Sequence, residues 1–155
     1  MSSNMDTVTN VQTCEILAKN QWISVFPKHF NNEWSQSPEA LPDVLEKTNN
    51  YALSCGTSDR DLQSITKTID NIRQRHGCDV KMVCVDIANG YLDSLVQSCA
   101  QLRHLLPNIV LMAGNVVTPE GLYELVHKGT VDVVKVGIGS GAACTTRLKT
   151  GVGYP

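Results

Sequence analysis

The chain lacks an excess of basic residues, a long apolar run and any closely spaced cysteine pair. Its 155 residues carry 13 lysines and arginines against 15 acidic residues, so the formal net charge is -2. That balance offers no basic surface for nucleic acid and no polybasic patch for an anionic membrane. No apolar segment approaches the ~20 residues that span a bilayer, and residues 1–6 lack the apolar core of a secretory signal. We therefore expect a soluble protein without nucleic-acid or membrane partners.

The six cysteines include no Cys-x-x-Cys pair and no cluster with histidine at zinc spacing. Because nothing indicates export, we expect reduced thiols and a cytoplasmic protein. Cys14, Cys84 and Cys99 lie in apolar patterns, which predicts small core residues. Cys55 and Cys144 differ, since each sits in or beside a glycine-containing turn after a strand-like run.

Short apolar runs recur along the chain and alternate with amphipathic segments. The runs predict buried strands at 22–26, 51–54, 80–85, 109–113 and 131–136. The amphipathic pattern predicts helices at 10–19, 61–75 and 92–106. Thr118, Pro119 and Glu120 form the start signal of a further helix, for which Gly129 is the expected C-terminal cap. Residues 27–42 are expected to form a loop with one helical turn.

Polar and unusual residues collect directly after each predicted strand, at 28–29, 55–57, 86–90, 114–115 and 137–146. In a (β/α)8 TIM barrel these positions meet at a single catalytic face. A complete barrel needs about 200 residues or more, so the chain is expected to cover only about five βα units. The sequence thus predicts an α/β fold in which residues 1–155 form a single, incomplete TIM-barrel domain that lacks its C-terminal portion.

The most informative segment is the glycine-rich loop that follows the last predicted strand. It presents Cys144, a candidate nucleophile, beside Thr145 and Thr146, either of which could move a proton. The spacing Gly-x-Gly-x-x-Ala at 137–142 also fits a dinucleotide-binding fingerprint, but it opens no long helix and is weak alone. A plain tight turn is the other alternative.

Asp86 ends an otherwise apolar strand, where an unpaired carboxylate would be costly. Two explanations of this carboxylate remain open. It could accept a structural hydrogen bond from neighbouring backbone, or it could contact the ribose hydroxyl or amide of a ligand. Lys28 is suited to an anionic ligand, although most lysines are simply exposed.

Several motifs run through nearly the whole chain. They are Asn-Met-Asp-Thr-Val at 4–8, Lys-His-Phe at 28–30, Asp-Ile-Ala-Asn-Gly-Tyr at 86–91, Ala-Gly-Asn-Val-Val-Thr at 113–118, Cys-Thr-Thr-Arg at 144–147 and Thr-Gly-Val-Gly-Tyr-Pro at 150–155. Together they resemble the barrels of the IMP dehydrogenase and GMP reductase family. IMP dehydrogenases usually carry Ile-Thr after the cysteine, so the Thr-Thr-Arg continuation resembles the reductases. Residues 140–143 read Ser-Gly-Ala-Ala where reductases commonly have Pro-Gly-Ser-Val.

The resemblance implies NADPH-dependent reductive deamination of GMP to IMP and ammonia, a step of purine nucleotide interconversion. Cys144 would form a covalent thioimidate, and Thr146 would transfer a proton beside it. The residues implied at the NADPH site are Lys28, Asp86, Ile87, Ala88, Ile138 and Gly139. The implied ligands of a potassium-like cation are the carbonyls of Gly139, Gly141, Cys144 and Arg147.

The family is also typically homotetrameric, and its catalytic glutamate and GMP phosphate-binding segments would lie beyond Pro155. The isolated 155-residue piece is therefore expected to be inactive. Because an unclosed half-barrel leaves two strand edges unpaired, the piece is also expected to be poorly folded, or soluble only as an assembly. Two alternatives remain open: a relative of IMP dehydrogenase that runs the oxidation, and a truncated, catalytically silent paralogue that associates with full-length subunits.

Overall fold

A computed structural model describes residues 1–154, so Pro155, the last residue of the final motif, lies outside the described residues. Strands and helices alternate along the chain, and five strands form one sheet in the order β1-β2-β3-β4-β5. The strands are β1 (Ser24–Phe26), β2 (Tyr51–Cys55), β3 (Met82–Asp86), β4 (Val110–Val116) and β5 (Val133–Val136). The helices are α1 (Val11–Lys19), α2 (His29–Gln36), α3 (Val44–Lys47), α4 (Asp59–His76), α5 (Asp93–Leu105), α6 (Pro119–His127) and α7 (Thr146–Thr150), with a 3₁₀ turn at Pro38–Ala40.

Residues 1–84 form the first of two compact units. Its strands β1 and β2 are parallel, with Ser24 opposite Tyr51 and Phe26 opposite Leu53. Every residue of β2 is buried, as expected of a strand covered on both faces. Helix α4 begins with a capping box between Ser58 and Asp61 and buries an apolar stripe made of Leu62, Ile65, Ile69 and Ile72.

The prediction of a loop at 27–42 is wrong, because this segment contains α2 and the 3₁₀ turn. Phe30 and Trp34 lie one turn apart and pack their rings against Phe26, at centroid distances of 5.4 and 5.2 Å. Buried Asn31 donates a hydrogen bond from Nδ2 to the Ser54 carbonyl at 2.6 Å. The helix is mostly polar in sequence, so its stability comes from these tertiary contacts rather than from an apolar stripe.

The second compact unit begins at Val85 and includes the described residues that follow it. Its strands β4 and β5 are parallel, with Met112 opposite Val133 and Gly114 opposite Lys135. Helix α6 starts as predicted: Pro119 occupies its first turn, and the Thr118 hydroxyl accepts a hydrogen bond from the amide of Gly121.

Three other expectations need correction. Strand β5 was expected to be buried, yet Val133 is 41% and Val136 67% exposed, because β5 is the edge strand of the sheet. The predicted cap at Gly129 is displaced: Thr130 takes the left-handed conformation, with φ of 55°. The buried strand predicted at 22–26 does not include its first residue, because Trp22 lies before β1 and is 61% exposed.

All six cysteines are free thiols. Cys14, Cys84 and Cys99 are fully or almost fully buried, which confirms their predicted place in the core. Among the helices of residues 1–154, none combines the length and apolar character needed to cross a membrane.

Candidate active site

The glycine-rich loop after β5 is closed on itself by an antiparallel bridge between its two ends. The amide of Tyr154 donates to the carbonyl of Ile138 at 2.8 Å. Gly139 has φ of 62°, a conformation that side-chain-bearing residues rarely adopt. The Arg147 side chain fills the space beside this glycine, since a Cβ on Gly139 would lie 3.0 Å from Arg147 Cγ, and a Cβ on Gly153 would overlap the same side chain. The glycines thus allow the loop to fold around Arg147.

Cys144 lies within this closed loop and is half-buried. Its Sγ lies 3.2 Å from Thr146 Oγ1. Hydrogen bonds from the Thr146 hydroxyl and from the Thr146 backbone amide hold the pKa of Cys144 below its ordinary value, and the positive charge of Arg147 acts in the same direction. A lowered pKa increases the thiolate fraction near neutral pH, and the thiolate is the nucleophilic form.

Substitution of Thr146 by valine tests this pairing. Because a valine cannot donate a hydrogen bond to sulfur, the pKa of Cys144 should rise toward its ordinary value. Alkylation of Cys144 by iodoacetamide should then be slower at neutral pH, with the rate profile displaced to higher pH. The measurement is peptide-resolved mass spectrometry of the alkylated protein over a pH series. Thr145→Val is the matched control, since the Thr145 side chain makes no capping hydrogen bond, and an unchanged profile in Thr146→Val would contradict the assignment.

Asp86 stands at the carboxyl end of β3, and one of its partners is the ammonium group of Lys135. The Lys135 Nζ and Asp86 Oδ1 atoms lie 2.6 Å apart, and the two side chains are 23% and 27% exposed respectively. Neither explanation offered for Asp86 from the sequence, a backbone partner or a ligand, included this lysine. The sequence does carry one indication of this ion pair, since Lys135 is the single charged residue within the β-branched run of β5.

Asn115, at the end of β4, connects the segments that follow β3 and β5. Its backbone amide donates to the carbonyl of Ile87 at 2.9 Å, and its own carbonyl accepts from the amide of Gly90 at 2.9 Å. Its side-chain Nδ2 donates to the carbonyl of Gly137 at 2.7 Å. The Oδ1 atom is buried and has no hydrogen-bond partner within residues 1–154. The sequence alone marks this asparagine as a polar residue after a predicted strand, and its connecting role emerges only from the fold.

Most of the predicted site residues lie in the second unit, and Lys28 lies in the first. Ile87 and Ala88 are half-buried directly after β3, where the amide of Ile87 donates to the carbonyl of Gly114 at 3.0 Å. Ile138 is also buried, with only 3% of the residue exposed. Lys28 belongs to the first unit, where it is exposed at the start of α2.

The predicted cation ligands are backbone carbonyls, the donor type that suits a hard cation such as potassium. The Gly141 carbonyl accepts from the amide of Cys144 at 3.0 Å, and the Arg147 carbonyl accepts from the amide of Gly151 at 3.1 Å. Each carbonyl oxygen has a second lone pair, so the Gly141 and Arg147 carbonyls can each coordinate a cation in addition to accepting these hydrogen bonds. Within residues 1–154, no group of three His, Cys, Asp or Glu side chains offers an alternative metal site.

A family model described as the IMP dehydrogenase / GMP reductase domain matches residues 1–155. The chain belongs to the IMP dehydrogenase / GMP reductase family. GMP reductase 2 of Bos taurus is 40% identical over 156 residues, and GMP reductase of Caenorhabditis elegans is 41% identical over 157 residues. Each alignment covers 100% of this chain but only 42% and 41% of the respective relative.

A solved structure of inosine 5′ monophosphate dehydrogenase from Legionella pneumophila shares the fold of this family member. It matches with a TM-score of 0.77 at 28% identity, over 99% of this chain and 44% of that one. The prediction of an α/β chain that covers part of a TIM barrel is therefore confirmed.

Proposed function

We propose that this chain is the nucleophile-bearing part of a GMP reductase, which converts GMP to IMP and ammonia at the expense of NADPH in purine nucleotide interconversion. The observation that carries the proposal is the Cys144 thiol, with its lowered pKa, beside Thr146 in the closed loop. Identity of about 40% to proteins named GMP reductase, along the whole chain, supports the same reaction. A sulfur nucleophile suits displacement of an amino group from an electron-poor ring carbon.

In the proposed mechanism the Cys144 thiolate forms a bond to purine C2. The amino group on C2 takes up a proton, the C2–N bond breaks, and ammonia departs to leave a covalent thioimidate. NADPH, when bound, supplies the hydride that C2 accepts. The C–S bond then breaks, so the Cys144 thiolate is restored and IMP is released. The Thr146 hydroxyl, 3.2 Å from the sulfur, is placed to hold a proton there. Since a threonine is a poor acid near neutral pH, we propose that a second ionisable group acts with it.

The residues proposed to bind NADPH follow from the same site. Asp86, Ile87 and Ala88 line it after β3, and Ile138 and Gly139 border it. The orphaned Oδ1 of Asn115 fits a ligand with an N–H donor, because a buried acceptor without a partner is costly. Lys28 is the remaining residue proposed to bind NADPH. The carbonyls of Gly139, Gly141, Cys144 and Arg147 would hold a potassium ion.

We further propose that the complete protein is a cytoplasmic homotetramer, as is typical of the family. The six free thiols are consistent with a reducing compartment.

The reaction is tested with the complete protein in two parallel assays. With GMP and NADPH we expect loss of NADPH absorbance and release of ammonia in equal amounts. With IMP and NAD we expect no turnover. The reverse pattern would indicate an IMP dehydrogenase, and turnover in neither assay would indicate the catalytically silent paralogue, so both results would contradict the proposal.

A further inference from the structure

The contact between Lys135 and Asp86 spans an intervening strand. Lys135 lies on β5 and Asp86 at the end of β3, and β4 lies between these strands in the sheet order. Neighbouring strands are about 4.8 Å apart, so the two backbones are separated by about 10 Å. The Lys135 side chain nevertheless brings Nζ to 2.6 Å from Asp86 Oδ1. A long side chain that crosses a strand needs a gap in the side-chain layer of that strand.

Gly114 provides this gap. It is the residue of β4 directly opposite Lys135 in the register. A Cβ at position 114 would lie 2.5 Å from the Lys135 carbonyl oxygen and 2.7 Å from Lys135 Cβ, closer than real Cβ atoms approach. Any other residue at this position would push β5 away or obstruct the lysine. The ion pair therefore depends on three residues together: Gly114 on β4, Lys135 opposite it on β5, and Asp86 at the end of β3.

The ion pair between Lys135 and Asp86 is partly shielded from solvent. With side chains 23% and 27% exposed, it is more protected than the surface pair Lys128–Glu124, whose side chains are 65% and 48% exposed. Exposed ion pairs contribute little to stability, whereas removing one partner of a shielded pair is more costly. Lys135 thus holds the Asp86 carboxylate in one place at the carboxyl end of the sheet.

We infer that Lys135 is a positioning residue, which orients the Asp86 carboxylate across Gly114 for contact with NADPH. The inference rests on the proposed function, in which Asp86 lines the NADPH site. Lys135 acts through Asp86 and needs no contact of its own with the cofactor or with GMP.

The test is a double-mutant cycle in the complete protein, with GMP and NADPH as substrates. Lys135→Met removes the charge and keeps the length of the side chain, and we expect it to raise KM for NADPH by about tenfold to a hundredfold, with a smaller change in kcat. Lys135→Arg restores a positive charge and should recover most of the loss. In an Asp86→Asn background, Lys135→Met should change KM by less than about twofold, because its partner is already neutral.

Lys128→Met is the matched control, since it removes a lysine from a surface ion pair and should leave KM unchanged. Circular dichroism of each variant reports whether it folds. An unchanged KM in Lys135→Met, or an equal loss in both backgrounds, would overturn the inference while leaving the proposed function intact. Failure of the wild-type protein to reduce GMP would overturn the proposed function itself, and the role of Lys135 with it.

Discussion

Replacing Cys144 with alanine is expected to abolish GMP reduction, lowering kcat on the order of 10⁴-fold or more, as removal of a catalytic nucleophile does in other covalent enzymes. The physical reason is that alanine has no atom that can bond to purine C2, and the thioimidate cannot form. Serine at the same position keeps a hydroxyl of similar size. It is expected to be nearly as inactive, because a serine hydroxyl is a far weaker nucleophile than a thiolate unless a base activates it.

The measurement combines steady-state kinetics of the complete protein with intact-mass spectrometry of samples quenched during turnover. Wild-type protein should show a nucleotide adduct on the peptide that contains Cys144, and the alanine variant should show none. Cys78→Ala is the matched control, because Cys78 is also a free, half-buried thiol but lies in the first unit and contacts the Leu45 carbonyl. GMP reduction at the wild-type rate by Cys144→Ala would exclude the covalent mechanism.

Features that depend on local signals could be predicted from the sequence. The start of α6 follows from a hydroxyl cap and a proline in the first turn. The amides of the first turn have no partner within a helix; the hydroxyl accepts a hydrogen bond from one of them, and the proline has no N–H to pair. The glycine-rich loop that presents Cys144 could be recognised from its glycines, since a positive φ at Gly139 needs no knowledge of the rest of the fold. Its closure by the bridge between Ile138 and Tyr154 could not. Cys144 and Thr146 are two residues apart, so their contact is local as well.

Features that depend on sheet register could not be predicted in the same way. The Lys135–Asp86 pair joins residues 49 positions apart and requires Gly114 to face Lys135, a relation that only the paired strands create. Likewise, α2 is held by the rings of Phe26 and Trp34 and by a hydrogen bond to a neighbouring strand. A polar segment of this kind shows no helical periodicity, so the sequence pattern indicated a loop.

The buried tryptophan of α2 is expected to be one of the most sensitive positions for stability. Trp34 is 1% exposed, and its ring lies 5.2 Å from that of Phe26 and 4.9 Å from that of Phe30. Trp34→Ala should lower the free energy of unfolding by about 3–5 kcal/mol, from lost burial and from the cavity that remains.

Equilibrium urea unfolding of the complete protein, followed by circular dichroism, measures the effect. Trp22→Ala is the matched control: it removes the same side chain from a position that is 61% exposed, so the change should stay within about 0.5 kcal/mol. The chain contains two tryptophans, so the fluorescence lost in each variant also identifies the buried ring by its blue-shifted emission. Equal destabilisation by both variants would contradict the larger contribution to stability that we predict for the buried ring.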